Sequence, residues 1–283
     1  MNIHHYSVFA ATPGGGKHVA IVEGVDNPVD MGRTAAQSGA PLTGFVLWSG
    51  EGQAEVRFFS SPRQGEVREK GSSDSGALVV GEHLRLQGAI GDRLTVQMGE
   101  EGLEVFYQED KWWSHQGQTG IQALELDSAQ LLEVLGLCQD DVVGVIQAAG
   151  GHKINLVVCV KSVVVLDNIG PSFEVLSIIQ KSNKANGVIA VCLDSPRAAV
   201  DFRWFSPAKN LNEDNAGSYT LASLCGCLTG VQNLHGERHL EAIQGFASGK
   251  PSRLYVRYLS ENSRAKNIRV GGQVEMLEVT KWA

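Results

Sequence analysis

The chain has 283 residues, 43% of them hydrophobic, enough for one large or two ordinary domains with full cores. Its formal net charge of −7 comes from acidic and basic residues interspersed along the chain, which excludes a basic nucleic-acid footprint and names no nucleic-acid partner. Its longest apolar runs, such as SVVVL and GVIAVCL, are far too short to span a membrane, and the start MNIHHYSVF lacks a basic stretch leading into a long apolar one, so a soluble cytoplasmic protein with no membrane partner is expected.

The first motif, TPGGGKHVAIVEG at residues 12–24, has the glycines and lysine of a phosphate loop but not its order. Residue 11 is Ala11, Lys17 is followed by His18, and the β-branched run after it reads as a strand where a phosphate loop needs a helix. A glycine turn between two strands accounts for it. A helix over residues 28–39 and a strand FVLW follow, then the strand VRFFSSP at 56–62 and a helix SDSGALVVGEHL rich in small residues. Strands RLTVQMG, LEVFYQ and KWWSHQ complete this half, and an amphipathic stretch at 127–137 links it onward.

The second half repeats the order. VGVIQAAGGHKINLVVCV, residues 143–160, is again strand, glycine turn and strand, the turn again carrying at least two glycines, a histidine and a lysine. A helix over 171–187, a strand VIAVCL, the strand FRWFSP at 202–207 and a helix YTLASLCGCL come next, followed by strands HLEAIQG, RLYVRYL and QVEMLEV. Arg57 stands fourteen residues before Gly71-Ser72, as Arg203 does before Gly217-Ser218, and each Gly-Ser is expected to open a helix. The expected fold is therefore α+β: two pseudo-symmetric halves, residues 1–118 and 119–283, each a mixed β-sheet wrapped around a central helix. Two equivalent helix starts could face each other across a cleft between the halves. Their unpaired N–H groups would suit a small carboxylate there.

Five cysteines, at 138, 159, 192, 225 and 227, form no C-x-x-C pair and have no histidine at zinc spacing. Reduced thiols, no metal site and no cofactor are the expectation.

These segments resemble the PhzF-like family, named for a phenazine-biosynthesis isomerase, within the diaminopimelate epimerase-like fold. FAATPGGGKHVAIV is similar to the family's opening F-x-x-x-P-x-G-G-N-P-x-A-V-V; VRFFSSP and FRWFSPAKNLNEDNAGSYT resemble its R-x-F-x-P segments and the helix starts behind them. IQGFASGKPSRLYVRY and IRVGGQVEML resemble its closing motifs, so the resemblance covers most of the chain. It implies a cofactor-independent proton transfer on a small carboxylated or amino-acid-like metabolite, a homodimer, and a last strand packed back onto the first half.

The chain departs from the family where the chemistry lies. Leu42 stands at the position of the family's acid/base glutamate, KGSS at Lys70–Ser73 replaces C-G-H-A, and Thr220 takes the place of a histidine. Asp214 and Gly217-Ser218 match in type. The catalytic candidates are thus Asp214 as base or anchor, with Asp74, Glu69 or Lys70 as partner; the substrate-binding candidates are Gly71, Ser72, Ser73, Gly217 and Ser218. Each has an ordinary alternative: Asp214 and the serines as helix caps, Asp74 and Glu69 as first-turn charges, Lys70 as a solvated lysine. Two functions follow. One is an isomerase or epimerase; the other is a catalytically silent relative that binds a small carboxylate or a partner.

Overall fold

The computed structural model describes residues 2–61 and 66–281. Pro62, at the end of a strand segment read from the sequence, lies outside the described residues. The chain divides into two compact units, Met1–His115 with Gly271–Ala283, and Gln116–Val270.

In chain order the N-terminal unit contains β1 (Asn2–Val8), β2 (Lys17–Glu23), α1 (Pro28–Gln37), β3 (Leu42–Gly50), β4 (Gln53–Ser60) and β5 (Arg68–Lys70). Then come α2 (Asp74–Leu86), β6 (Arg93–Met98), β7 (Glu101–Gln108) and β8 (Lys111–Gln122), whose last residues belong to the second unit. The C-terminal unit continues with α3 (Ser128–Leu135), β9 (Gln147–Gly150), β10 (Ile154–Cys159), α4 (Val163–Asn168), α5 (Phe173–Ser182), β11 (Gly187–Leu193) and β12 (Val200–Ser206). It closes with β13 (Leu211–Asp214), α6 (Ser218–Gln232), β14 (Gly236–Gln244), β15 (Ser252–Glu261) and β16 (Arg264–Gly272), whose last two residues belong to the first unit. The last strand, β17 (Val274–Lys281), pairs antiparallel with β1 in the first unit.

The duplication read from the sequence is present in the pairing. In the first unit β1–β2 is antiparallel, β2–β3 parallel, β3–β4 antiparallel, β4–β6 parallel and β6–β7 antiparallel, with β5 added beside β4. The second unit repeats this order in β9–β10, β10–β11, β11–β12, β12–β14 and β14–β15, with β13 beside β12. Strand period sorts side chains onto two faces. Phe59 packs with Met31 and Ala35 of α1, whereas its neighbour Phe58 meets Gly76 of α2. Phe58 is fully buried, which stabilises the unit by roughly 1.5–3 kcal/mol.

The central helices approach their sheets closely because they carry glycine where the sheet is nearest. A Cβ on Gly81 would stand 2.6 Å from the Trp112 ring, and one on Gly226 2.6 Å from the backbone of Gly120. Thr119 Oγ1 donates to the carbonyl of Ala222 at 2.6 Å, so β8 and α6 are joined there by a hydrogen bond as well. The turn between β1 and β2 is architectural in the same sense: Gly16 has φ 73°, and a Cβ there would lie 2.5 Å from the Val8 carbonyl.

A buried histidine punctuates α2. His83, only 1% exposed, accepts from the Tyr6 hydroxyl at Nδ1 (2.9 Å) and donates from Nε2 to Glu23 (3.2 Å), the tautomer a carboxylate acceptor requires. Burial pushes the folded-state pKa of His83 down, with Glu23 pulling the other way. The unfolded imidazole takes a proton near pH 6.5, where the folded one does not. Its contribution is therefore fully present above about pH 6.5 and is lost as pH falls through the folded-state value. Urea denaturation across pH 5–8 should show stability falling toward acid, with a shallower fall in His83→Gln; equal slopes would remove His83 as the cause.

Candidate functional site

The two helix starts are built differently. In the N-terminal unit, Arg57 on β4 donates Nε and Nη2 to the two oxygens of Glu69 on β5, at 2.7 and 2.5 Å, tying strand to strand just before α2. That pairing holds the Glu69 carboxyl below its usual range. Lys70 is exposed at the end of β5, opposite Phe58, and lacks the burial that a desolvated base requires. Gly71 is exposed and Ser72 half-buried.

The helix opens two residues later than the sequence spacing implied. Ser73, not Ser72, is the N-cap of α2: its Oγ accepts from the Gly76 N–H at 3.2 Å and contacts Ser75 Oγ at 3.3 Å. Its hydroxyl is thereby engaged by the helix itself. Asp74, half-buried in the first turn, adds a negative charge that suits the helix dipole and would repel an incoming carboxylate.

The start of α6 has neither device. Its N-cap is Gly217, which has no side chain, and Ser218 follows as the first helical residue. The first helical hydrogen bond is Leu221 N–H to the Gly217 carbonyl, so the N–H groups of Ser218, Tyr219 and Thr220 have no acceptor within the helix. Ser218 is 4% exposed, and its Oγ has no hydrogen-bond partner among the described residues. Asp214, half-buried at the end of β13, stands three residues before the cap, so it does not cap α6 itself.

The approach to this start is set by Gln244, which is fully buried at the end of β14. Its Oε1 accepts from the Gly217 N–H at 2.8 Å and its Nε2 donates to the Asp214 carbonyl at 2.7 Å, so one side chain grips both ends of the loop. Gly245, at φ 71°, lets Asn215 pack against it, where a Cβ would clash at 2.8 Å. Asn215 Nδ2 then donates to the Lys250 carbonyl at 2.7 Å.

Tyr219 brings the second glycine turn to the same place. Its hydroxyl accepts from the N–H groups of Gly151 (2.9 Å) and Lys153 (3.1 Å) and donates to the Lys153 carbonyl (2.6 Å). The His152 ring lies 4.9 Å from the tyrosine ring. Lys209 bonds Asn186 through its ammonium; desolvation, and after it the charge of Lys153, pushes its pKa down. Beneath them Asn155, fully buried, accepts from Trp204 Nε1 (2.9 Å) and Asn186 Nδ2 (3.1 Å) and donates to Ser223 Oγ (2.9 Å). Ser223 passes the network to the Tyr219 carbonyl at 3.0 Å. Every member is partnered, which fixes the first turn of α6 against β10 and β12.

Of the residues expected from sequence, Asp214, Gly217 and Ser218 share one turn of chain in the C-terminal unit, and Lys70 to Asp74 form one segment in the other. Gln244, Tyr219, Lys153 and Lys209 were not among the expected residues. The IQG segment was a usable signal for Gln244; nothing local marks Tyr219. Among the described residues no group of three His, Cys, Asp or Glu side chains is placed to hold a metal ion, and no helix is long and apolar enough to cross a membrane.

Two units of one strand order, each built on a central helix, place the chain in the class of epimerase-like α+β folds. It superposes with a TM-score of 0.61 on a hydroxyproline epimerase from Agrobacterium vitis holding trans-4-hydroxy-L-proline, at 11% identity, covering 99% of this chain and 91% of that one. The chain belongs to the phenazine biosynthesis-like protein family, which it matches over residues 6–278. A PhzF-family protein from Bacillus anthracis superposes with a TM-score of 0.84 at 20% identity, over 99% of this chain and 98% of that one. Its sequence is also 23% identical over 293 residues to the uncharacterized isomerase YddE of Escherichia coli K12, and 21% identical over 305 residues to that of strain O157:H7, covering 99% of this chain and 98% of each.

Proposed function

We propose that the chain is an isomerase or epimerase that moves a proton on a small carboxylated or amino-acid-like metabolite held at the start of α6. The observation that carries this reading is the buried, unpartnered Oγ of Ser218, beside three N–H groups that no cap side chain occupies. Such a start receives a carboxylate. Asp214 is the base: its carboxylate takes a proton from the carbon beside the bound carboxylate and returns it, with no change of oxidation state.

With Leu42 apolar and buried at the head of β3, no acid stands at the position where the family resemblance puts one. One carboxylate that takes and returns the proton on the same face favours migration of a double bond over inversion at a single centre, which needs a donor on the far side. The same Leu42 supports a second reading, a protein that binds a small carboxylate without turning it over.

The test is proton exchange in heavy water, followed by NMR, with a panel of proline, hydroxyproline and small unsaturated acids. Exchange should fall at least about a hundredfold in Asp214→Asn. Ser218→Ala should raise KM about tenfold with a smaller effect on kcat. No exchange from a panel that includes a ligand shown to bind at Ser218 would sink the enzyme and leave the binding protein.

A further inference from the structure

A polar cavity lies on β8, in the C-terminal unit. Thr119 bonds the Ala222 carbonyl and Ile121 packs on Gly230, so these two residues face α6. By strand alternation Gln118, Gly120 and Gln122 point the other way; with Gly150, Gly151, His152, Arg264 and the edge of Ile121 they line a cavity of about 370 Å³. Its floor is bare backbone. A Cβ on Gly120 would lie 3.1 Å from Arg264 Cγ, and one on Gly150 2.0 Å from the Lys153 carbonyl oxygen. Gln122 Nε2 donates to the carbonyls of Gly150 (3.3 Å) and Gly151 (3.0 Å), fastening the two sides of the floor.

The charge of this cavity runs against that of the chain. None of its lining residues is acidic, although the chain carries a net −7. Arg57, Arg85, Arg197 and Arg203 are each paired with a carboxylate, whereas Arg264 is exposed and has no ion pair among the described residues. An unpaired guanidinium over a glycine floor, beside an imidazole and the Gln118 carboxamide, offers planar donors and no competing acceptor charge.

We infer that this cavity binds a small oxyanion, a carboxylate or phosphate group, with Arg264 as its principal donor and His152 and Gln118 beside it. The cavity shares the Gly151–His152 turn with the Tyr219 contacts but does not include Ser218, and its occupancy does not depend on catalysis.

Titration of the full chain with inorganic phosphate and, separately, acetate at constant ionic strength, read by amide NMR and calorimetry, tests the inference. At least one probe should saturate and shift the amides of Gly120, Gly150 and Gly151. Saturation by phosphate alone identifies a phosphate site, and by acetate alone a carboxylate site. Arg264→Gln should weaken binding about tenfold or more, Arg264→Lys should weaken it less, and Ser218→Ala should leave it unchanged. Unchanged amide spectra away from the cavity would show that the variants fold. Equal binding in Arg264→Gln and the parent, shifts confined to Ser218 and Tyr219, or saturation by neither probe would each overturn the inference.

Discussion

Replacing Arg203 with alanine is expected to cost about 3–5 kcal/mol of folding stability, whereas the same change at its counterpart Arg57 should cost no more than about 1 kcal/mol. Both arginines grip a glutamate with two hydrogen bonds, Arg203 reaching Glu213 at 2.9 and 2.8 Å. What differs is the surroundings. Arg203 is 7% exposed and its Nη1 also donates to the carbonyls of Leu166 (3.1 Å), Asp167 (3.3 Å) and Ile169 (2.8 Å), closing the end of α4. Its guanidinium lies over the Phe205 ring at 4.9 Å. Alanine would strand a half-buried carboxylate and three carbonyls at once. The Arg57 side chain is 29% exposed and its Glu69 partner 46%, so water replaces what that mutation removes. Urea denaturation of both variants gives the comparison, with Arg203→Lys as a milder case that keeps the charge but loses the fork. A loss below about 1 kcal/mol for Arg203→Ala would mean that the pair holds nothing that water cannot.

Gln244→Leu is expected to remove about 2–4 kcal/mol, because it leaves two backbone groups in a dry place without their partner. Leucine fills a similar volume, so the loss reports on hydrogen bonds more than on packing. The function of α6 should suffer beyond its stability: with the Gly217 N–H and the Asp214 carbonyl released, Ser218 and Asp214 no longer keep a fixed spacing. Gln244→Glu separates the two bonds, since a carboxylate still accepts from Gly217 but has no proton for the Asp214 carbonyl. Ligand binding weakened in Gln244→Leu at a temperature where the protein remains folded would confirm the positioning role. Wild-type binding and a loss under about 0.5 kcal/mol would end it.

Much of this architecture was legible because it rests on local pattern. The apolar runs on either side of each glycine turn could only be strands, and the repetition of that unit disclosed two halves before any coordinate. The start of α2 was misplaced for a physical reason. Counting from Arg57 and Arg203 assumes equal arms, but the partner of Arg57 lies twelve residues on, at Glu69, and that of Arg203 ten, at Glu213. Counted from those glutamates, each N-cap follows at the fourth residue, Ser73 and Gly217. The ion pair is the fixed joint, and the loop before it is where length varies. Tyr219, and what Gln244 of the IQG segment holds, were beyond reach for another reason. Their partners are separated from them by 27 to 68 residues, and nothing in either segment announces the other.

The Gln244 grip also bears on when this end of the protein can take shape. The loop from Asp214 to Gly217 is closed by a side chain that follows it by 27 residues, on a strand that must first line up beside β12. As the chain leaves the ribosome, α6 can coil from its own sequence while its N-terminal end stays unfinished. A nascent chain halted anywhere between Gln232 and Gln244 would therefore display the helix without its grip.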